Sequence, residues 1–287
     1  MKAARIHQHG DAAVIRLDDV PLPVPGPGEV LVKVAATSFN PTELALRSGA
    51  LRSLFTIGLP YTLGWDVAGT VAGSGAPVIG WLEGGAAAEY VAAPLARLVP
   101  APASVPLATA AAIPLAGLTA WQAVVPNVSA GQRVLINGAG GGIGGFAVQL
   151  AKHAGAHVIA TAGPRSTEAV RDQGADEIID YTTGFSLTEP VDVMIHLVGT
   201  PPPWPPPVRA GGRIVSAAAP VSGSPDVTSS HMVVQYDTDQ LTELVELVDA
   251  GTVAVDADSY PLEAIADVHR RSEAGETRGK IVITPGP

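Results

Sequence analysis

The chain has no cysteine in 287 residues. Disulfides, a cysteine nucleophile and a thiolate metal site are thereby excluded. Charge is sparse, at 15% of residues, and leans acidic, with a formal net charge of -10. That balance argues against a nucleic-acid surface, which needs a basic face. The seven histidines do not reverse it, because most imidazoles are neutral at pH 7. No run of about 18 uninterrupted apolar residues occurs, which argues against a transmembrane helix. The opening MKAARIHQHG has no apolar core of a secretory signal. The expectation is a soluble, cytoplasmic protein whose partners are small molecules, with neither nucleic acid nor membrane among them.

What is present is apolar material and punctuation. Hydrophobic residues make up 47%, enough for a sizeable core, and the length suits one large or two medium domains. The 32 glycines and 26 prolines imply many turns. The first hundred residues read as mostly strand. Residues 2–6 and 13–17 form an opening hairpin about a turn at 9–11, and 29–36 alternates with period two. Pro41 suits the first turn of a short helix. Residues 59–70 read as a loop followed by a strand, and 86–91 and 98–100 as further strands. Residues 105–125 are helical, interrupted by Pro114.

The pattern then changes to strands at 134–136, 157–162, 177–180, 191–197 and 212–216, with helices at 143–154 and 166–173. Strands separated by helical crossovers imply a parallel, doubly wound sheet, hence an α/β class. Helices at 240–249 and 261–274 and a strand at 280–283 close the chain. One segment breaks the pattern: PPPWPPP at 201–207 cannot make a crossover helix. Polyproline II is the expected conformation. The span from Gly199 to 212 is short for a parallel crossover, so either the sheet edge is rearranged or the crossover is reduced to a minimum. An exposed proline run is also the form of an SH3-type ligand.

The stretch VLINGAGGGIGGFAVQLAK (134–152) organises the second half. Strand, glycine turn, helix is the context in which such glycines bind a dinucleotide: they let main-chain N–H groups approach a pyrophosphate at a helix N-terminus. A purely structural turn on a parallel sheet is the competing reading. Cofactor choice is read at the end of the second strand. A NAD site places an acid there, about 20 residues beyond the glycines. Here the segment is ATAGPRST (160–167), with no acid before Glu168 and with Arg165 in the turn. A cation among small hydroxyl residues suits the 2′-phosphate of NADPH; the alternative is an ordinary solvated arginine.

Taken together the segments resemble the medium-chain dehydrogenase/reductase superfamily, and within it the zinc-free quinone oxidoreductase, zeta-crystallin-like branch. The matching pieces are PGPGEVLVKV (25–34), FNPTE (39–43), GWDVAG (64–69) and AAIPLAGLTAW (111–121). GAGGGIG (138–144), GADEIIDY (174–181) and RGKIVI (278–283) follow in the family's order. The resemblance implies two domains: a GroES-like β-rich domain from 1–113 plus 254–287, and a Rossmann domain at 114–253. Zinc members of the family carry a ligand Cys and a His-Glu pair where this chain has Asn40 and Trp65-Asp66, so no metal is expected.

The resemblance also supplies roles. Asn40 would meet the nicotinamide ribose or the substrate oxygen, and Tyr61 a substrate carbonyl; Glu43 completes the catalytic set. Thr119 and the turn of Ala139, Gly141, Gly142, Ile143 and Gly144 would hold the pyrophosphate. Arg165 and Tyr181 would flank the 2′-phosphate, and Val198, Gly199 and Ala217 would line the nicotinamide. Plainer readings stand beside these: Tyr61 packs under Trp65, and Glu43 caps a short helix. His196, in an apolar strand where the family more often has Asp, is a core residue or part of the site.

The reaction implied is hydride transfer from NADPH to a quinone or an activated C=C, the cofactor carrying the hard chemistry. Two shortenings oppose it: the family's longer segment and its strand are missing between 70 and 85, and the crossover after Gly199 is truncated. A non-redox enzyme of secondary metabolism on the same scaffold, such as a cyclase or dehydratase, and a non-catalytic NADPH sensor are the rivals. A homodimer through the Rossmann sheet edge is the family's usual assembly.

Overall fold

The computed structural model describes residues 1–54 and 56–286. In chain order the strands are β1 (Lys2–Ile6), β2 (Ile15–Asp19), β3 (Glu29–Phe39), β4 (Tyr61–Thr62), β5 (Asp66–Val71), β6 (Pro77–Trp81), β7 (Tyr90–Pro94) and β8 (Leu98–Pro100). Then come β9 (Arg133–Asn137), β10 (His157–Ala162), β11 (Glu177–Asp180), β12 (Val191–His196), β13 (Val208–Ser216) and β14 (Thr228–His231). β15 (Ala257–Pro261) and β16 (Lys280–Thr284) are last. The helices are α1 (Thr42–Ser48), α2 (Leu107–Ala110), α3 (Pro114–Val124), α4 (Gly142–His153), α5 (Thr167–Asp172), α6 (Thr238–Asp249) and α7 (Ile265–Glu273). No helix among the described residues is long and apolar enough to cross a membrane. The chain divides into two compact units, 1–115 with 241–249 and 255–287, and 116–240 with 250–254.

The first unit is built on β3. Its alternation buries Val32, Val34 and Ala36 while Lys33 faces out. β3 pairs antiparallel with β5, β7 and β16, giving a seven-stranded sheet in the order β15-β16-β3-β5-β6-β8 with β7 off β3. β1, β2 and β4 form a second sheet. The hairpin strand starts at Ile15 rather than 13, because Asp11 accepts the Ala13 N–H and holds Ala12–Val14 in a 3-10 turn. The 70–85 stretch, expected to lack a strand, contains β6, which pairs with β5 from Asp66↔Trp81 to Thr70↔Pro77. The strand expected at 86–91 starts four residues later, at β7.

The second unit is a six-stranded, all-parallel sheet in the order β11-β10-β9-β12-β13-β14, the doubly wound arrangement the alternation implies. β9 to β10 crosses through α4, and β10 to β11 through α5. The other three connections, 181–190, 197–207 and 217–227, contain no helix. Right-handed crossovers moving in opposite directions across a sheet lie on opposite faces, so these three share the face opposite α4 and α5. Phe185, Leu187, Trp204 and Val227 from them pack on Leu135, Ile159, Met194 and Ile214. Phe185 and Trp204 stack at 3.8 Å and 10°. The crossover is thus reduced to a minimum, with β12 and β13 still paired, and Trp204 takes up the sheet cover that a helix would give. A tryptophan so stacked is not displayed as a free proline-motif ligand.

Candidate functional site

The expected site residues fall into two groups, one in each unit. In the first unit β3 ends at Phe39, and Asn40 and Pro41 turn into α1. Asn40 and Glu43 are buried, and with Ser38, Asp66 and Lys280 they form a closed polar cluster. The Asn40 amide donates to Asp66 Oδ2 at 2.9 Å and, longer, to the Ser38 carbonyl at 3.4 Å; its Oδ1 accepts from Lys280 Nζ at 3.0 Å. Lys280 Nζ also donates to Ser38 Oγ at 2.7 Å, and Ser38 Oγ donates to Asp66 Oδ2. The other Asp66 oxygen accepts the Leu115 N–H at 2.8 Å. Lys280 Nζ stands 3.8 Å from the Asp66 carboxylate, both groups almost wholly buried. Burial lowers the Lys280 pKa, against the pull of Asp66 and Glu43.

Glu43 has a holding role. Its Oε2 accepts the Asn40 N–H at 3.1 Å and its Oε1 the Gly64 N–H at 2.8 Å. The carboxyl therefore clamps the turn after β3 to the loop before β5. Burial pushes its pKa up to about 7, against the opposing N–H groups of Gly64 and Asn40. Tyr61 is joined to the same loop: its hydroxyl accepts the Trp65 Nε1–H at 3.0 Å and donates to the Glu83 carbonyl at 2.7 Å. Its one hydrogen is committed to that carbonyl, and burial pushes its pKa up.

The family metal can be tested against this donor set. Asn40 and Trp65 offer no anionic or imidazole ligand. Both Asp66 oxygens are occupied by hydrogen-bond donors, and an ammonium lies beside them. No cluster of three or more His, Cys, Asp or Glu among the described residues has a metal-holding arrangement. The cluster does not fit a zinc ion; Lys280 is the cation that Asp66 already has.

In the second unit the expected cofactor residues other than Thr119 follow the C-terminal ends of the parallel strands, where ligands of such sheets bind. Gly138 turns out of β9 at φ 95°. α4 starts at Gly142, with Gly141 extended (φ -89°, ψ 175°) and no side chain capping it. Its first-turn N–H groups have no partner in the helix. A methyl group on Gly144 would overlap the main-chain oxygens of Gly138 and Ala139, so the helix packs on the turn only with glycine there. At Gly141 the nearest atom to an added Cβ is 3.4 Å away, which leaves open approach. A turn that is tight at its back and open at its front fits a pyrophosphate.

Of the neighbouring segments, Val198 and Ser166 lie against this turn. Val198 follows β12, and its Cγ2 lies 2.9 Å from where a Gly138 Cβ would be. The Ala217 N–H donates to the His196 carbonyl at 3.0 Å, which places Ala217 beside the same strand end. Arg165 is exposed in the turn after β10. Tyr181, 60% exposed, lies after β11 with its hydroxyl against Gly163, so it and Arg165 stand at neighbouring strand ends. Thr119 is buried on α3 in this unit. His196 is buried with both ring nitrogens hydrogen-bonded.

Sequence reasoning passed over Ser38, Lys280, Asn137 and Thr161, and weighed Asp66 only as a lost metal ligand. The signal was available for two of them: Asp66 and Lys280 are charges at inward positions of apolar strands, and buried charges occur paired.

Known proteins resemble this chain along its whole length. A family profile described as "Alcohol dehydrogenase GroES-like domain" matches residues 26–84, and one described as "Zinc-binding dehydrogenase" matches 173–283. The chain is similar to the chloroplastic quinone-oxidoreductase QR1 of Triphysaria versicolor, 33% identical over 96% of this chain and 95% of the relative. It is also similar to a chloroplastic NADPH-dependent alkenal/one oxidoreductase of Arabidopsis thaliana, 30% identical over 100% of this chain and 80% of the relative. Among solved structures, the quinone oxidoreductase of Coxiella burnetii superposes with a TM-score of 0.85 at 28% identity, covering 100% of this chain and 99% of that one.

Proposed function

The chain belongs to the medium-chain dehydrogenase/reductase superfamily, and from that premise we propose a zinc-independent, NADPH-dependent reductase acting on quinones or α,β-unsaturated carbonyls. The observation that carries this reading is the cluster about Asp66. The position that a metal would need is neutralised from within by Lys280, while the glycine turn is shaped for a dinucleotide. Reduction of an activated double bond needs no metal to ionise an alcohol.

The turn of Ala139, Gly141, Gly142, Ile143 and Gly144, with Thr119, would hold the pyrophosphate. Arg165 and Tyr181 would flank the 2′-phosphate, and Val198, Gly199 and Ala217 would line the nicotinamide. Bound there, NADPH supplies the hydride. The nearer Asn40 amide hydrogen goes to Asp66 and the other points to Ser38, so Asn40 presents the second lone pair of Oδ1. Its role is to accept a ribose hydroxyl. The Tyr61 proton goes to Glu83, so solvent protonates the reduced product. Tyr61 and Glu43 set the shape of the loop that bears Trp65.

The test is NADPH binding, followed by its oxidation at 340 nm against a panel of quinones and enones. Binding with no oxidation across the panel would sink this reading. It would move the protein to the non-redox or sensor roles, which the helix-free connections of the second unit favour. No NADPH binding would leave the glycine turn as scaffold alone. The proposal includes a homodimer along the exposed edge strand β14; light scattering giving a monomer mass at working concentration would remove that part.

A further inference from the structure

The turn at 197–200 has no crossover helix behind it, and its main-chain tie is the Leu197 N–H, which donates to the Asn137 carbonyl at 3.0 Å. In a doubly wound sheet the connection after a strand is steadied by its crossover helix. Here it runs into prolines at 201, 202, 203, 205, 206 and 207, none with a main-chain N–H to donate. His196, at the end of β12, provides an attachment. Its Nε2 is 3.0 Å from the Thr200 carbonyl and its Nδ1 is 2.9 Å from Asn137 Nδ2. A carbonyl can only accept, so the ring hydrogen sits on Nε2. Burial lowers the ring's pKa and keeps it neutral, against the Thr200 and Val198 carbonyls. Nδ1 is then a lone pair, and Asn137 must present its N–H to it. That orientation turns Asn137 Oδ1 to the Thr161 hydroxyl, which donates at 2.7 Å. Thr161 Oγ1 in turn accepts the Gly138 N–H at 3.0 Å. Each partner fixes the sense of the next, and reversing the Asn137 amide would break two bonds at once.

We propose that Thr161, Asn137 and His196 form a positioning chain that locks the 197–200 turn to the glycine turn, so that the nicotinamide and pyrophosphate walls of the cofactor site keep one fixed spacing. The proposal rests on the reading of Gly138–Gly144 and Val198–Gly199 as the NADPH site. None of the three residues need touch the cofactor; they act through the two turns. The helix-free connection explains why this chain needs a side-chain tie at that point.

A break at either end is read at the other. Thr161→Val removes the first link and does not touch the 197–200 turn. His196→Asn is too short to reach Thr200 and does not touch Gly138. Amide hydrogen exchange on the cofactor-free protein should quicken about tenfold at Leu197, whose N–H is bonded to the Asn137 carbonyl, in T161V and at Gly138 in H196N. Each variant should weaken NADPH binding about tenfold. The double variant should lose little more, because a broken chain cannot be broken again. Circular dichroism and urea unfolding establish that both variants fold. Unchanged exchange at the far end, or losses that multiply to about a hundredfold, would overturn the chain while leaving the cofactor reading intact. Failure of the wild-type protein to bind NADPH would overturn both.

Discussion

Two glycines three residues apart in one turn are required for opposite reasons, and alanine separates them. Gly144 lies in the first turn of α4 with its α-carbon against the turn that follows β9. An added Cβ would come within 2.5 Å of the Ala139 carbonyl carbon and closer still to the oxygens of Gly138 and Ala139. These are main-chain atoms at the root of a buried strand and cannot rotate away, so α4 must lift. Overpacking of this kind costs about 3 kcal/mol, or about 6–12 °C in Tm for a chain of this size. Gly141 is the reverse case. Its extended φ and ψ suit any residue, and an added methyl has 3.4 Å to its nearest neighbour. Gly141→Ala should leave the Tm unchanged or raise it slightly, since alanine restricts the unfolded chain by about 0.5 kcal/mol. The methyl would, however, stand where the pyrophosphate must approach, and NADPH affinity should fall at least about tenfold, ~1.4 kcal/mol. Differential scanning fluorimetry gives the first quantity and NADPH fluorescence titration the second. Wild-type affinity in G141A would show that the phosphate does not lie on this turn. A wild-type Tm in G144A would refute the packing argument.

Other perturbations test the first unit and the cofactor preference. Glu43 binds its proton more tightly in the fold (about 7) than at its ordinary 4.5. The folded state is therefore favoured by acid, and stability from this group falls as pH rises from 4.5 through 7, by about 3 kcal/mol in all. Glu43→Gln should remove that slope from urea titrations at pH 5 to 8; identical slopes in both proteins would refute the buried-carboxyl account. Lys280→Met strips the buried Asp66 of its cation and should cost about 3 kcal/mol, while adding Asp66→Asn should restore part of it. Additive losses in the double variant would show that the two do not act as a pair. Arg165→Gln should weaken NADPH about tenfold while leaving NADH affinity nearly unchanged; equal loss for both dinucleotides would end the assignment of Arg165 to the 2′-phosphate.

The legible parts were those whose cause is local. Period two in 29–36, and the strand–glycine–helix run from 134 to 152, are written in neighbouring residues, and both appear where expected. Pro114 splits 105–125 into α2 and α3 because its ring cannot sit inside a helix. β14 and β15 went unread. β14 is Thr-Ser-Ser-His with all four residues exposed, and β15 has no buried residue. Such strands have no apolar period and form only because a neighbouring ladder offers its hydrogen bonds.

Composition and local pattern by themselves determined a cysteine-free α/β chain with a parallel sheet, a dinucleotide-type turn and a basic residue after the second strand. Those follow from residue chemistry and spacing alone. Only the tertiary structure decided what Asn40 can do, because its partner Lys280 lies 240 positions away and arrives through a strand pairing, β16 on β3. Only the fold showed that β12 and β13 pair in parallel without a helix, because the sheet face is covered instead by the Phe185–Trp204 stack. A buried polar group is defined by what satisfies it, and those partners are chosen by packing rather than by position along the chain.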